Sequence, residues 1–551
     1  MSKTAERANS DQTSAIQPVS VASAASVSWD EEADVVIVGF GGAGACAALE
    51  AHYAGASALV IERYQGGGAT RLSGGVVYAG GGTKIQKEAK VSDTAEDLFQ
   101  YLKLETQGIV SEATLRDFCD GSVAMLDWLM AQGVPFDASL CPVKTSYPTD
   151  DYYLYYSGNE GFPPFKDVAK PAPRGHRAKA AGLPGGAFYD PLRTKVESLG
   201  VKVQYEARVT KLITDASGDV LGVEYAKIPA GRWTTTVRGM MTTALALRNY
   251  QPNVSRKLYA EIAKIEEKHA IVRRARAKKG VVLSAGGFVY NRAMIDKYAP
   301  KYRPGMPLGT VADDGSGLRL GEGAGGVLAQ MNRVSAWRFI NPPEAWTRGI
   351  LVDREGQRYV NEMRYGAAIG EAMVEDHGGK AILVLDKRTK ELSREQCKPG
   401  QAQWFQRAPA LLNLWFNCKE GKTIEELAAK IKVPPEKLRA TIDAYNKLCD
   451  DGYDPLGKPK SQLERIEKGP FYAIDCSIDS KRFPCPTLTL GGLVVDEGTG
   501  NVKRSDGTII QGLYAAGRSA VGICSRQYVS GLSIADCVYS GRRAGRSAAR
   551  R

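Results

Sequence analysis

The segment that most restricts this chain runs from residue 33 to residue 62. Asp34-Val35-Val36-Ile37-Val38 is a run of β-formers that ends in Gly39-Phe40-Gly41-Gly42-Ala43-Gly44, and residues 45–55 are Ala-rich and read as a helix. A second apolar run, Ala58-Leu59-Val60-Ile61, ends at Glu62, 23 residues after Gly39. Strand, glycine turn, helix, strand and acid in this order make a dinucleotide-binding βαβ unit. Gly39 makes the tight turn, Gly41 lets a pyrophosphate reach the backbone, and Gly44 lets helix pack on strand. Gly42 and Ala43 open the helix whose N-terminus faces the phosphates. Glu62, followed by Arg63, stands where a ribose-binding acid belongs. Taken alone, the turn also reads as a structural glycine turn, and the nucleotide is NAD or FAD.

The next residues separate those two nucleotides. Gly66-Gly67-Gly68-Ala69-Thr70-Arg71-Leu72-Ser73-Gly74-Gly75 is a second glycine-dense stretch. The backbone at Gly68, Ala69, Gly74 and Gly75 and the hydroxyls of Thr70 and Ser73 suit a diphosphate and an isoalloxazine, and NAD domains rarely carry such a stretch. Fingerprint, acid and this stretch together resemble the fumarate reductase and 3-ketosteroid dehydrogenase superfamily of flavoproteins. The resemblance recurs along the chain to about residue 548. Ser284-Ala285-Gly286-Gly287 resembles the end of a strand returning to the flavin sheet, and Asp313-Asp314-Gly315-Ser316-Gly317 is similar to a family turn. Gly356-Gln357-Arg358-Tyr359-Val360-Asn361-Glu362 is similar to another, and Gly512-Leu513-Tyr514-Ala515-Ala516-Gly517 to the strand and turn at the flavin. The resemblance implies an α/β fold, a Rossmann-like FAD-binding domain with an inserted α+β substrate domain. It further implies flavin contacts from Ala285, Gly286, Asp314, Gly517, Arg518, Ser530, Leu532 and Ser533. Relatives that attach FAD covalently use a histidine after the ribose acid. None occurs between Glu62 and Gly82, so FAD is expected without a covalent link.

Fumarate reductases of this superfamily grip a dicarboxylate with arginines and histidines, and their His-Pro-x-Gly segment is missing here. Tyr528 and Ser530 occupy that stretch instead. From Gly517-Arg518 through Tyr528-Val529-Ser530-Gly531-Leu532-Ser533 to Gly541-Arg542-Arg543-Ala544-Gly545, the chain resembles the 3-ketosteroid Δ4-(5α)-dehydrogenases. The Δ1-dehydrogenases carry a glycine four residues after the tyrosine, where this chain has Leu532. The resemblance implies that Tyr528 hydrogen-bonds the C3 carbonyl of a steroid, that Tyr365 takes the C4 proton, and that Ser530 relays it while hydride leaves C5. A polarised ketone has an acidic α-proton, so a phenol whose pKa is lowered by its surroundings can act as base without histidine. Most of the 25 tyrosines are packing residues, and Tyr359 is read as one. A Δ1-dehydrogenase, a fumarate-type enoate reductase and a non-catalytic flavin-binding protein are the alternatives.

A chain of 551 residues has room for two to three domains. Residues 31–300 and 480–551 are expected to build the flavin domain, and 301–479 the substrate domain between them. Residues 1–30 are Ser/Ala-rich and are expected to be a disordered tail. Ten cysteines without a Cys-x-x-Cys pair and four scattered histidines point to a reducing compartment, the cytoplasm, and to no metal site. No apolar run is long enough to span a bilayer, and the N-terminus has no basic-then-apolar leader.

The tyrosines at 152, 153, 155 and 156 read equally as steroid-lining or as loop packing. The net charge of +12 has one main source: residues 232–279, within an excursion over 228–279, hold twelve bases against three acids. No nucleic-acid motif accompanies them. Trp233, Met240, Met241, Leu245, Leu247 and Tyr250 are interleaved with the bases, which suits peripheral contact with the inner face of an anionic membrane. A solvated or oligomer-contacting arm is the other reading. The remaining expected partners are the steroid substrate and an external electron acceptor.

Overall fold

The computed structural model describes residues 12–248 and 251–551. Its centre is a nine-stranded sheet of β1 (Val19–Ser20), β2 (Glu31–Val38), β3 (Ala58–Ile61), β4 (Lys202–Gln204), β5 (Ala207–Thr214), β6 (Val220–Lys227), β7 (Ile271–Leu283), β8 (Asn501–Lys503) and β9 (Ile509–Ala515). The order is β1-β5-β6-β7-β2-β3-β4, with β9 beside β7 and β8 beside β9. β7 joins two halves of this sheet. Its first half pairs antiparallel with β6, its last three residues pair parallel with β9, and β2 lies along its other side. Six helices matter below: α1 (Gly42–Tyr53), α2 (Arg232–Leu247), α3 (Pro252–His269), α4 (Gly366–Glu375), α5 (Trp404–Phe416) and α6 (Leu532–Arg550).

α6 comes from the far end of the chain and lies on α1 without side chains between them. A Cβ at Gly541 would stand 2.4 Å from the Ala43 carbonyl oxygen, and one at Gly545 2.2 Å from that of Ala47. Glycine at these positions lets the helices touch backbone to backbone, which fixes both ends of the flavin domain as one body. The inserted region has its own antiparallel sheet, in the order Ile350–Val352, Ile382–Leu385, Phe471–Asp475 and Cys418–Gly421. Leu351, Leu383, Ile474 and Trp346 fill the core on one side of it. A three-stranded antiparallel sheet, with Gly175–Arg177 between Val76–Tyr78 and Leu154–Tyr155, connects the flavin domain to the catalytic residues. The architecture is the expected one: an α/β flavin domain with an α+β insertion.

Two expectations are corrected. Residues 12–30 are not a loose tail, because Val19 pairs with Ile213, the Ile16 N–H donates to the Arg319 carbonyl at 2.9 Å, and Ile16 packs on the main sheet's core. Two apolar residues in a polar stretch suffice to dock it; residues 1–11 lie outside the described residues. The basic stretch 232–279 is likewise not one arm. Residues 232–269 form the helical hairpin α2–α3, whereas 271–279 belong to β7 in the middle of the sheet. The bases on β7 meet acids on neighbouring strands and the preceding turn: Arg274 with Glu224, Arg276 and Lys278 with Glu32, and Arg273 with Asp30.

Most of the hairpin's large apolar residues turn inward, Val254 excepted. Val237, Met241, Ala244 and Ile262 are buried, with Trp233, Met240 and Tyr259 packed around them. Tyr250 lies outside the described residues. All ten cysteines are free. Among the described residues no helix is long and apolar enough to cross a membrane, and no group of three His, Cys, Asp or Glu side chains is arranged to hold a metal.

Candidate active site

Gly39, at φ +95°, turns the chain out of β2 so closely that a Cβ would meet the Ser284 carbonyl oxygen at 2.8 Å. α1 then starts at Gly42 with no side chain capping it; the Gly42 N–H reaches the Thr70 hydroxyl at 3.2 Å. Its uncapped first turn offers N–H groups and a positive dipole end. Glu62 is buried at the end of β3. One carboxylate oxygen accepts the Phe40 N–H and the other the Tyr64 N–H, each at 2.7 Å, and both keep lone pairs for further donors. Burial raises its pKa against those two bonds.

Across the turn lies the second glycine stretch. The Ser73 hydroxyl donates to the Thr70 carbonyl and accepts from the Gly75 N–H, which shapes the loop through Gly74. At Gly41 an added Cβ would meet nothing nearer than 3.9 Å, so neither packing nor backbone conformation requires glycine there; at Gly68 the space is equally open, and its φ of +48° also favours glycine. The open space leaves bare backbone for a ligand. Ala285 and Gly286 follow β7, and Gly517 sits with its would-be Cβ 2.9 Å from that of Ala43. Leu532 and Ser533 open α6, a second helix without a side-chain cap. Arg518 is nearly buried and pairs with Asp313, while its Nη1 has no hydrogen-bond partner among the described residues. A buried guanidinium nitrogen without a partner calls for an acceptor from a ligand. Bare glycine backbone, two uncapped helix starts, a ribose-type acid and this nitrogen together fit FAD.

Two of the expected flavin contacts, Arg63 and Asp314, pair with each other. Arg63 pairs with Asp314 and with Glu266 of α3, each at 2.9 Å, so their charges lock the hairpin to the end of β3. Arg238 of α2 adds a forked bond to Glu206, and Tyr64 meets Tyr259 edge to face at 5.8 Å. Asp313, which the sequence reading passed over, shapes the turn by accepting from the Gly287 and Thr310 N–H groups.

Tyr365 and Tyr528 arrive from different domains. Tyr365 stands at the N-cap position of α4 and is fixed through its backbone N–H, which donates to Asn159 Oδ1 at 2.8 Å. Tyr528 lies against Trp337, and its ring stands 6.3 Å from that of Tyr365. The Ser530 hydroxyl is 3.3 Å from the Tyr155 hydroxyl, and its carbonyl accepts from Ser157. Tyr359 instead packs on His377. Arg358, Glu362, Asp454 and Lys458 form a buried ion cluster that sets the turn before Tyr365.

The phenols are not lowered in pKa, as the sequence reading expected, but raised. Burial is the main cause for Tyr365, Tyr528 and Tyr155 alike, and at Tyr365 the nearby Tyr528 and Tyr155 add to it while Ser530 opposes it. An apolar site disfavours a phenolate unless something compensates.

Three residues that sequence reasoning did not assign sit at this centre: Tyr155, Asn159 and Lys144. Tyr155 was visible only as one of a cluster. Lys144 is half-buried, and among the described residues no acid is in direct contact with it; its Nζ donates to the Tyr156 and Gly158 carbonyls at 3.0 and 2.6 Å and lies 5.9 Å from the Tyr365 ring centre. Burial pushes its pKa down to about 8. Nothing in the spacing around residue 144 signals this, because its partners are backbone carbonyls brought in by a loop.

Residues 34–531 match the model of the FAD binding domain family. The 3-oxo-5-alpha-steroid 4-dehydrogenase of Comamonas testosteroni is 39% identical over 520 residues, 92% of this chain and 96% of that one. A 3-oxosteroid 1-dehydrogenase of Mycolicibacterium smegmatis is 26% identical over 90% of this chain and 94% of its own length. Among solved structures, a 3-ketosteroid Δ4-(5α)-dehydrogenase from Rhodococcus jostii RHA1, in complex with 4-androstene-3,17-dione, superimposes with a TM-score of 0.81 at 32% identity. That match covers 97% of this chain and all of the other. A 3-ketosteroid Δ1-dehydrogenase from Sterolibacterium denitrificans shares the fold at a TM-score of 0.65 and 20% identity, over 94% of this chain. The chain belongs to the FAD binding domain family of flavoproteins, in its 3-ketosteroid dehydrogenase branch.

Proposed function

We propose that this protein is an FAD-dependent dehydrogenase that places a double bond between C4 and C5 of a 5α-3-ketosteroid. The observation that carries the reading is the meeting of Tyr365 and Ser530, both buried, with the half-buried Tyr528, from two domains, in one largely aromatic centre. The full-length likeness to a 3-oxo-5-alpha-steroid 4-dehydrogenase supports it.

Gly39 to Gly44, Gly68 to Gly75, Glu62, Gly286, Arg518 and the start of α6 are the residues that would hold the cofactor. Bound there, FAD supplies the acceptor for the hydride that leaves C5. The protein does the rest. Tyr528 hydrogen-bonds the C3 carbonyl oxygen through its hydroxyl, which acidifies the C4 hydrogens. Tyr365 takes the C4 proton. Because its phenol pKa is raised, Tyr365 is protonated at neutral pH and must pass its own proton on as it accepts the new one. Ser530 and Tyr155 are the hydroxyls placed to receive it. The Lys144 ammonium near the Tyr365 ring favours the negative charge that passes through the phenol. Asn159 keeps Tyr365 in place by its backbone.

Electrons leave to an external acceptor. Membrane contact by 232–279 retains mainly an electrostatic basis, the exposed bases of α2–α3, since most of the hairpin's large apolar side chains are packed inward. Anaerobic mixing with a 5α-3-ketosteroid tests the function: the flavin absorbance should bleach in a single turnover. Bleaching by succinate but not by the steroid would contradict it.

A further inference from the structure

Among the described residues, α5 gathers four exposed large apolar side chains on one helix. Trp404, Leu412, Trp415 and Phe416 are 55%, 51%, 58% and 61% exposed, and all four lie on this one helix. Positions 404, 408, 412, 415 and 416 share one helical face, and Ala408 completes it without a charge. The opposite face, Ala410, Asn413 and Leu414, is buried against the insertion's core. A helix in a protein surface does not ordinarily present two tryptophans, a leucine and a phenylalanine to water.

The surroundings say what covers that face. Residues 387–422 contain eight bases and three acids, with no acid at all from residue 396 to residue 419. Lys398 and Arg407 precede or border the apolar face, and Lys419 and Lys422 follow it. Two copies of this chain meeting through the face would bring like-charged rims together, whereas an anionic bilayer complements them. The indole rings at Trp404 and Trp415 are separated by roughly 16 Å along the axis at 1.5 Å per residue, so a helix lying flat sets both at headgroup depth.

The helix also adjoins the catalytic centre. Gln403 donates to the Pro148 carbonyl and to Asp150, Gln406 donates to the Tyr147 carbonyl, and Phe405 meets Tyr147 edge to face at 5.8 Å. Tyr147 in turn packs edge to face on Tyr155, whose hydroxyl reaches Ser530.

We propose that α5 is a membrane-docking helix, which lies in the interface of an anionic bilayer and holds the substrate loop 147–155 against the lipid in which a sterol-like substrate dissolves. The advantage of docking rests on the steroid reading, but vesicle binding itself does not, so either can fail without the other. The test uses the full-length, FAD-loaded protein and vesicles of phosphatidylcholine with one quarter phosphatidylglycerol. Wild type should float with the vesicles and be released by high salt. Leu412→Glu and Trp415→Glu, both at exposed positions, should weaken vesicle binding at least tenfold while leaving the flavin spectrum and turnover of a water-soluble steroid unchanged. Arg256→Glu with Lys257→Glu, on α3, should bind nearly as wild type does. The proposal is overturned if the α5 variants bind undiminished, or if the α3 variant alone loses binding. It is equally overturned if wild type ignores the vesicles, including the case in which it runs as a dimer that the α5 substitutions split.

Discussion

The rings of Tyr365 and Tyr528 stand 6.3 Å apart with planes 24° from parallel, although one stands at the N-cap position of a helix of the inserted domain and the other belongs to the C-terminal flavin segment. Neither domain contains the site alone. Tyr528→Phe should keep FAD and slow flavin reduction by on the order of 10², the cost of losing a donor to a developing oxyanion. Tyr365→Phe removes the proton acceptor and should slow it by about 10² to 10⁴. Stopped-flow reduction at saturating steroid measures both, and a wild-type rate in either variant removes that residue from the mechanism.

The hydroxyl relay is tested by Ser530→Ala and Tyr155→Phe. Each should reduce the rate about tenfold or more. The double variant should be little slower than the slower single one, because two links of one relay are not additive. Full additivity would mean that the two hydroxyls act separately.

The hairpin α2–α3 supplies a test of cofactor binding. Lys227 and Ile271 are register partners in an antiparallel pair, so a short turn can reconnect them after residues 228–270 are removed. That protein should fold, and its FAD affinity should fall, because Arg63 and Tyr64 beside the ribose acid lose Glu266 and Tyr259. Extending the deletion to residue 279 removes most of β7 and should leave no folded protein. FAD titration by flavin fluorescence, together with circular dichroism, measures both outcomes. In the intact protein, acid or heat should release all the flavin into the supernatant; colour left on the precipitate would mean a covalent link.

His176 gives a pH signature. It is buried between Thr83 and the Arg174 carbonyl, and burial pushes its pKa down to about 4 from an ordinary 6.5. Between these values the unfolded chain binds a proton that the folded protein does not. Stability therefore rises with pH through that window and is lost as pH falls through it, by up to roughly 3 kcal/mol for this one group. His176→Gln should show a smaller drop in melting temperature between pH 7 and pH 4.5 than wild type shows. An equal drop would assign the acid sensitivity to other groups.

What could be read from the sequence was local. From Asp34 to Glu62 each residue's task is met by near neighbours, so strand, turn, helix and acid were all legible. Tyr528 and Ser530 were legible because they follow Gly517 at short range. Residues 271–279 were not, because a strand whose bases are neutralised by Asp30, Glu32 and Glu224 looks in one dimension like a solvated charge run. Lys144 and Asn159 escaped because no motif marks their partners: Lys144 is held by the Tyr156 and Gly158 carbonyls, and Asn159 by the Tyr101 hydroxyl, the Glu105 carboxylate and the Tyr365 N–H. The direction of the tyrosine pKa shifts depends on burial by two domains at once, which no spacing encodes.

The position of the new double bond tests the central claim most directly. Incubation with a 5α-3-ketosteroid and an artificial electron acceptor should give, by proton NMR, a single olefinic hydrogen at C4 and loss of the 5α hydrogen, and a 4-ene-3-ketosteroid should be returned unchanged. Olefinic hydrogens at C1 and C2 in the first product, or conversion of the 4-ene into a 1,4-diene, would contradict the assignment.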